Sequence, residues 1–178
     1  MVTITKTEFR GAVGRFASGV TVVTTTTQDN RWVGFTASSF CSLSLEPPLI
    51  LVALARTAAC YEDFEASKRF AVNVLAAGDD HLALAFATKQ EDKFRGNPRW
   101  VARSRAPVLD GAHIALICVS AGWHEGGDHR ILIGEVVDIL AGTGEPLLYH
   151  GGRFISAPES QSPLLARGAA GSAQEYGR

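Results

Sequence analysis

The sequence predicts a mainly β chain with few helices, arranged as an antiparallel barrel rather than a doubly wound sheet. Three observations carry that reading. Val20 to Thr26 is β-branched almost throughout, which suits a pleated, half-buried surface. Eighteen glycines among 178 residues supply tight turns. Several short strand-like runs follow one another closely, with little helical periodicity between them. The length fits one domain with enough chain to bury a core.

The elements follow in order. Thr7 is placed to cap a first helix, in which Phe9, Val13 and Phe16 recur at i, i+4 and i+7 as one apolar stripe. Ser18-Gly19 ends it. Val20 to Thr26 and Arg31 to Thr36 read as a hairpin around the turn-like Gln28-Asp29-Asn30. A hydroxyl-rich stretch, Ala37 to Ser42, leads through Leu43 to Glu46 to the stop at Pro47-Pro48. Leu49 to Ala53 reads as a buried strand, Cys60 to Ser67 as a short helix, and Phe70 to Leu75 as another strand. Asp79 or Asp80 caps a helix running to about Phe86, and residues 91–96 form a helical turn or loop. His113 to Trp123 and His129 to Leu140 read as a hairpin joined by the five residues His124 to Asp128. Leu147 to His150 is a last strand, and Gly151-Gly152 turns the chain into Arg153-Phe154. The domain is expected to span residues 1–156, with 157–178 a flexible tail of Pro, Ser, Ala, Gly and Gln.

Seventeen basic and eighteen acidic residues give a net charge of −1, which argues against nucleic-acid binding by bulk charge. Cys41, Cys60 and Cys118 are odd in number and widely spaced, a pattern suited to a reducing cytoplasm. No run approaches the roughly 18 apolar residues of a membrane span. Neither a G-x-G-x-x-G turn nor a P-loop occurs. Any phosphate must therefore meet hydroxyls such as Ser38, Ser39 and Ser42, backbone N–H groups, or cations such as Arg56 beside Thr57; equally, these segments are ordinary polar loops. His129 after Gly127-Asp128 either meets a ligand at the rim of the barrel or is the first residue of a strand. His81, His113, His124, His129 and His150 form no metal-ligand pattern, and no nucleophile elbow exists. Lys89 and Lys93 stand four apart beside Asp92 and Phe94, either a solvated helix end or cations pointing the same way.

Five blocks in order resemble the short-chain flavin reductases, the reductase components of two-component flavin-dependent monooxygenases. They are residues 16–24, the run from Thr36 to Pro48, Phe70 to Leu75, Asp92-Lys93-Phe94, and Gly127-Asp128-His129 followed by Ile133 to Val136. The resemblance implies a split β-barrel that dimerises and binds FMN near the subunit interface. It places Phe35, Thr36, Ala37, Ser38 and Ser39 along the isoalloxazine. Ala53, Leu54, Ala55, Arg56, Thr57, Ala59 and Cys60 would hold the ribityl phosphate, with Lys89, Lys93 and Phe94 approaching the same end. His129, with Asp128, would face the nicotinamide, and Tyr149 to Gly152 would border the nucleotide. One departure stands out: Arg56 to Cys60 replaces several Ser and Thr of the family. Two or three phosphate-facing hydroxyls are absent, each worth about 1.5–3 kcal/mol to a charged group.

The implied activity is an NAD(P)H:flavin oxidoreductase that reduces FMN or FAD with NADH or NADPH and passes reduced flavin to a separate monooxygenase. This is hydride chemistry that belongs to the cofactors and needs stacking and charge stabilisation from the protein, not a tuned base. The expected state is a cytoplasmic homodimer without metal, membrane or nucleic acid. The rival readings are a tight flavoprotein reducing a quinone, a nitro compound or a corrinoid, and a non-catalytic flavin binder.

Overall fold

Val22 and Val23 are adjacent in sequence and completely buried, yet their side chains enter different cores, as alternation along a strand requires. A computed structural model describes residues 3–89 and 92–157. Its elements are α1 (Lys6–Val13), β1 (Ser18–Gly19), β2 (Thr21–Thr26), β3 (Trp32–Ala37), β4 (Cys41–Ser44), β5 (Leu49–Ala55), α2 (Tyr61–Ala66) and β6 (Arg69–Val74). There follow α3 (Asp80–Ala87), β7 (Trp100–Arg103), β8 (Ala106–Leu109), β9 (Ile114–Gly126), β10 (His129–Ala141), β11 (Leu147–His150) and β12 (Arg153–Ser156). The main sheet has seven strands in the order β3-β2-β6-β9-β10-β5-β4. A three-stranded sheet, β1-β11-β12, and the hairpin β7-β8 complete the fold, and every pairing is antiparallel.

Val23 packs with Phe35, Val52, Phe64 and Phe70 on one side of the sheet. Val22 packs with Leu75, Leu82, Phe86 and Trp100 on the other. A strand covered on both faces cannot carry charge, and β2 uses threonine for its polar positions. Thr21 donates to the Ala37 carbonyl at 2.9 Å, Thr24 to Pro107 at 2.5 Å and Thr25 to Arg69 at 2.6 Å. On neighbouring β6, fully buried Asn73 donates through Nδ2 to the Val22 carbonyl (3.0 Å) and to Thr24 Oγ1 (3.2 Å). Its Oδ1 accepts the Leu109 N–H at 2.8 Å. One amide thereby ties β8 to the central strands, with each polar atom partnered as burial demands.

The mainly β expectation holds, with several local corrections. Thr5, not Thr7, caps α1, because Glu8 returns its carboxylate to the Thr5 N–H in a capping box. No residue of α1 is buried. The Leu49–Ala55 strand is not buried throughout but alternates buried and half-buried positions. The β9–β10 connection has two residues rather than five. Gly127 at its first position has φ 74°, the conformation a short hairpin turn needs, so the strands pair as far as Gly126 and His129. The β7–β8 hairpin and β12 add strands beyond those the sequence indicates. Asp79 precedes α3 but makes no side-chain cap; its buried carboxylate takes a two-pronged contact from Arg99 at 2.6 and 3.0 Å.

The sheet does not close into a barrel, since β3 and β4 are its edges. Between them the Ser39 hydroxyl accepts the Ala53 N–H at 2.9 Å, so a side chain stands where closure would place a backbone partner. Among the described residues no helix is long and apolar enough to cross a membrane. The expected tail, apart from Ala157, lies outside the described residues.

Candidate active site

A cavity of about 1020 Å³ is lined by residues of the edge strand β3 and the inner strand β5. Phe35, Ala53, Leu54, Ala55 and Phe86 supply an apolar wall, and Phe35 is set by an edge-on contact with Phe64 at 5.1 Å. Gly34 permits this wall. A Cβ there would lie 2.8 Å from the Val23 carbonyl and 3.0 Å from the Phe86 ring, so Phe86 packs against β3 only because residue 34 lacks a side chain.

Residues 56–60 form the next wall. The chain leaves β5 in a tight turn, with the Ala58 N–H donating to the Ala55 carbonyl at 3.0 Å. The Arg56 N–H reaches the Asp128 carbonyl at 3.0 Å, fastening this turn to the tip of the β9–β10 hairpin. His129 pairs in register with Ala55 and lines the cavity from that tip. Its Nδ1 lies 2.7 Å from Asp128 Oδ1. The hydrogen bond from His129, and then its charge, hold the Asp128 carboxyl below the usual carboxylate range. Asp128 is thus ionised at neutral pH, and its side of the contact is lost as pH falls through its lowered value. An ionised Asp128 keeps the imidazole proton on Nδ1, which leaves Nε2 for another partner.

Opposite, Lys93 donates to the Gly34 carbonyl at 3.3 Å and the Phe86 carbonyl at 3.2 Å, and lies 5.7 Å from the Phe86 ring centre. Burial lowers its pKa. Burial likewise pushes the Cys60 thiol up to about 11 despite the nearby Lys93, so Cys60 is a neutral thiol and no nucleophile. Burial also raises the carboxyl of Asp63, which lines the same space.

Of the residues expected at a site, the cavity gathers Phe35, Thr36, Ala53, Leu54, Ala55, Thr57, Ala59, Cys60, Lys89, Lys93, Phe94 and His129. Others lie outside it. Ala37 is buried at the end of β3, Ser38 is exposed, and Ser39 is committed to Ala53. Arg56 turns to an ion pair with Glu125, and Asp128 acts through His129. Tyr149 makes a tilted ring contact with Phe154 at 5.4 Å in the three-stranded sheet, and Gly152 sits in the β11–β12 turn with φ 81°. The cavity also uses Asn30, Arg31, Trp32, Gly34, Asp63 and Phe86, which the sequence reading left out. Asn30 and Arg31 follow from the hairpin turn beside β3; Phe86 belongs to the buried face of α3.

Apolar pockets of about 300–1,000 Å³ already enclose drug-sized ligands, so this one has room for a tricyclic ring and a second ring beside it. Its flat walls, backbone-lined turn and single imidazole suit holding two planar groups face to face. Among the described residues no three His, Cys, Asp or Glu side chains assemble as a metal site. The model of the flavin reductase like domain matches residues 13–158. The chain is 36% identical over 159 residues to the reductase subunit HsaB of a flavin-dependent monooxygenase from Mycobacterium tuberculosis, covering 87% of this chain and 84% of that protein. It is 38% identical over 146 residues to an FMN reductase (NADH) from Agrobacterium fabrum, covering 82% and 83%. The solved structure of a Streptomyces globisporus NADH:FAD oxidoreductase, in complex with NAD and FAD fragments, matches with a TM-score of 0.82 and 36% identity, covering 88% and 95%.

Proposed function

Since the chain belongs to the flavin reductase like family, we propose that it is an NADH-dependent flavin reductase that supplies reduced flavin to a separate monooxygenase. The observation that carries this reading is the cavity itself, with β3 and β5 forming flat apolar walls and His129 at the rim. When both nucleotides are bound, the nicotinamide supplies a hydride and the flavin accepts it. The chain's part is placement. Phe35, Ala53 and Leu54 offer a surface for a flat ring and exclude water from one face. The turn at residues 56–60 presents backbone N–H groups and the Thr57 hydroxyl to an anion. His129, its Nδ1 proton fixed by Asp128, directs Nε2 toward a polar group of the second ring and orients it. Relatives named for NADH, FMN and FAD support flavin and NADH as the ligands of this chain; they favour neither the tight-flavoprotein nor the non-catalytic reading.

The test is steady-state oxidation of NADH and NADPH against riboflavin, FMN and FAD. Flavin-dependent NADH oxidation is expected, with NADPH the poorer donor. Wild-type protein that turns over with no combination removes the reductase reading. His129→Ala is expected to lower kcat/KM for NADH about tenfold, the loss of one good polar contact, while the flavin KM stays within twofold. An unchanged variant removes only the role of His129.

Two further properties belong to the same proposal. The chain works as a homodimer: α1 exposes Phe9 and Val13, with Ile4 and Phe16 beside it, and Phe16 is 80% exposed. Such an apolar surface marks an interaction site. Sedimentation velocity of the full chain is expected to give twice the chain mass, and a monomer at micromolar concentration contradicts it. We also place the protein in the cytoplasm, where Cys41, Cys60 and Cys118, all unpaired, stay reduced.

A further inference from the structure

Both partners of the Lys93 ammonium among the described residues are backbone carbonyls, and the places of those carbonyls are informative. Phe86 lies in the last turn of α3, where helix carbonyls lack an intrahelical donor and the macrodipole favours a cation. Gly34 lies on β3, an edge strand with one open side. A single ammonium therefore closes a helix end and a sheet edge together, spending two of its three donors. The residue after it, Phe94, packs edge-on against Trp32 at 5.6 Å, Phe86 at 5.0 Å and Trp100 at 5.0 Å. Lys93 and Phe94 thus clamp the segment after residue 92 onto β3 and α3.

We propose that Lys93 is a positioning residue of the flavin site: it holds Phe94 and the wall that Phe94 belongs to, and it does not contact the flavin phosphate. This rests on the reading in the preceding subsection. A phosphate reaching Lys93 would find only its third donor, because Gly34 and Phe86 hold the other two, and drawing the ammonium away would leave both carbonyls without that donor at the cavity wall. The remaining anion contacts fall to the turn at residues 56–60 and to Lys89, which is exposed at the rim.

Riboflavin, which lacks the phosphate, separates the two roles. Dissociation constants of riboflavin and FMN are measured by flavin fluorescence for wild type, Lys93→Met, Lys93→Arg and Phe94→Leu. Alongside them, hydrogen exchange is followed without ligand at Gly34 and residues 92–97, and steady-state kinetics are run with NADH. Lys93→Met is expected to weaken riboflavin and FMN by the same factor, about tenfold. The flavin KM rises accordingly, kcat at saturating flavin stays within twofold, and exchange at residues 92–97 quickens. Phe94→Leu reproduces the equal loss, and Lys93→Arg, which keeps the donors, restores part of it. A loss confined to FMN, or no loss with unchanged exchange, overturns the proposal. Wild type that binds neither flavin overturns the reductase reading, and the exchange arm still decides whether Lys93 holds this wall.

Discussion

Replacing Asn73 with leucine is expected to destabilise the protein by about 4 kcal/mol, the largest loss foreseen for a single side chain here. The two side chains are close in size, so the substitution leaves little cavity; what it removes is polar pairing. The Leu109 N–H and the Val22 carbonyl each lose the Asn73 amide, and Thr24 loses a donor, all in the buried interior. A buried backbone group left unpaired costs about 1–3 kcal/mol, and two or three such groups set the figure. Urea unfolding followed by tryptophan fluorescence checks it: the midpoint should fall with an unchanged slope. The melting temperature should drop by roughly 8–16 °C for a chain of this size. A loss near 1 kcal/mol would show that these groups find new partners.

Gly134→Val is expected to cost about 3 kcal/mol for the opposite reason, an excess of atoms. A Cβ at residue 134 would stand 2.3 Å from Phe70 Cζ and 3.0 Å from the Cys118 Cβ. Both neighbours are fully buried in the core that holds Val23 and Leu132, so neither has space to yield. Gly134→Ala isolates the first carbon and is expected to give about two thirds of the effect. Thermal unfolding of both variants measures it, and wild-type stability in Gly134→Ala would mean that the Phe70 ring shifts freely. His129 lies five residues earlier on the same strand, which makes this close approach part of the support for the hairpin tip.

The strands and the site were legible to different depths. The β-branched run at β2 and the β-rich runs at β9 and β10 are local signals, and these strands appear close to where the residues indicate. The sequence suggests a five-residue turn rather than two because His124, Glu125 and Gly126 resemble loop residues singly, whereas pairing with β10 carries them as strand. The hairpin at Trp100–Leu109 carries a proline and two arginines in ten residues, and its existence depends on burial against β2 and β6 that no local pattern announces. At the site, the resemblance pointed to β3, β5 and His129, and the cavity gathers them. It pointed equally to Arg56 and Lys93 as phosphate cations. Glu125, sixty-nine positions away from Arg56, and two backbone carbonyls claim those charges instead. A sequence shows which charges exist; only the fold shows which are already engaged.

The division of the cavity wall into two kinds of residue bears on how such a site changes. Phe35, Leu54, Cys60 and Phe86 are buried and belong at once to the wall and to the cores. Asn30, Arg31, Thr57, Lys89 and Asp92 line the same space but are exposed, where substitutions typically move stability by only about 0.5 kcal/mol. Variation can therefore accumulate along the rim, while the buried floor stays fixed. For library design this sets a boundary: diversify the rim, and leave the floor alone.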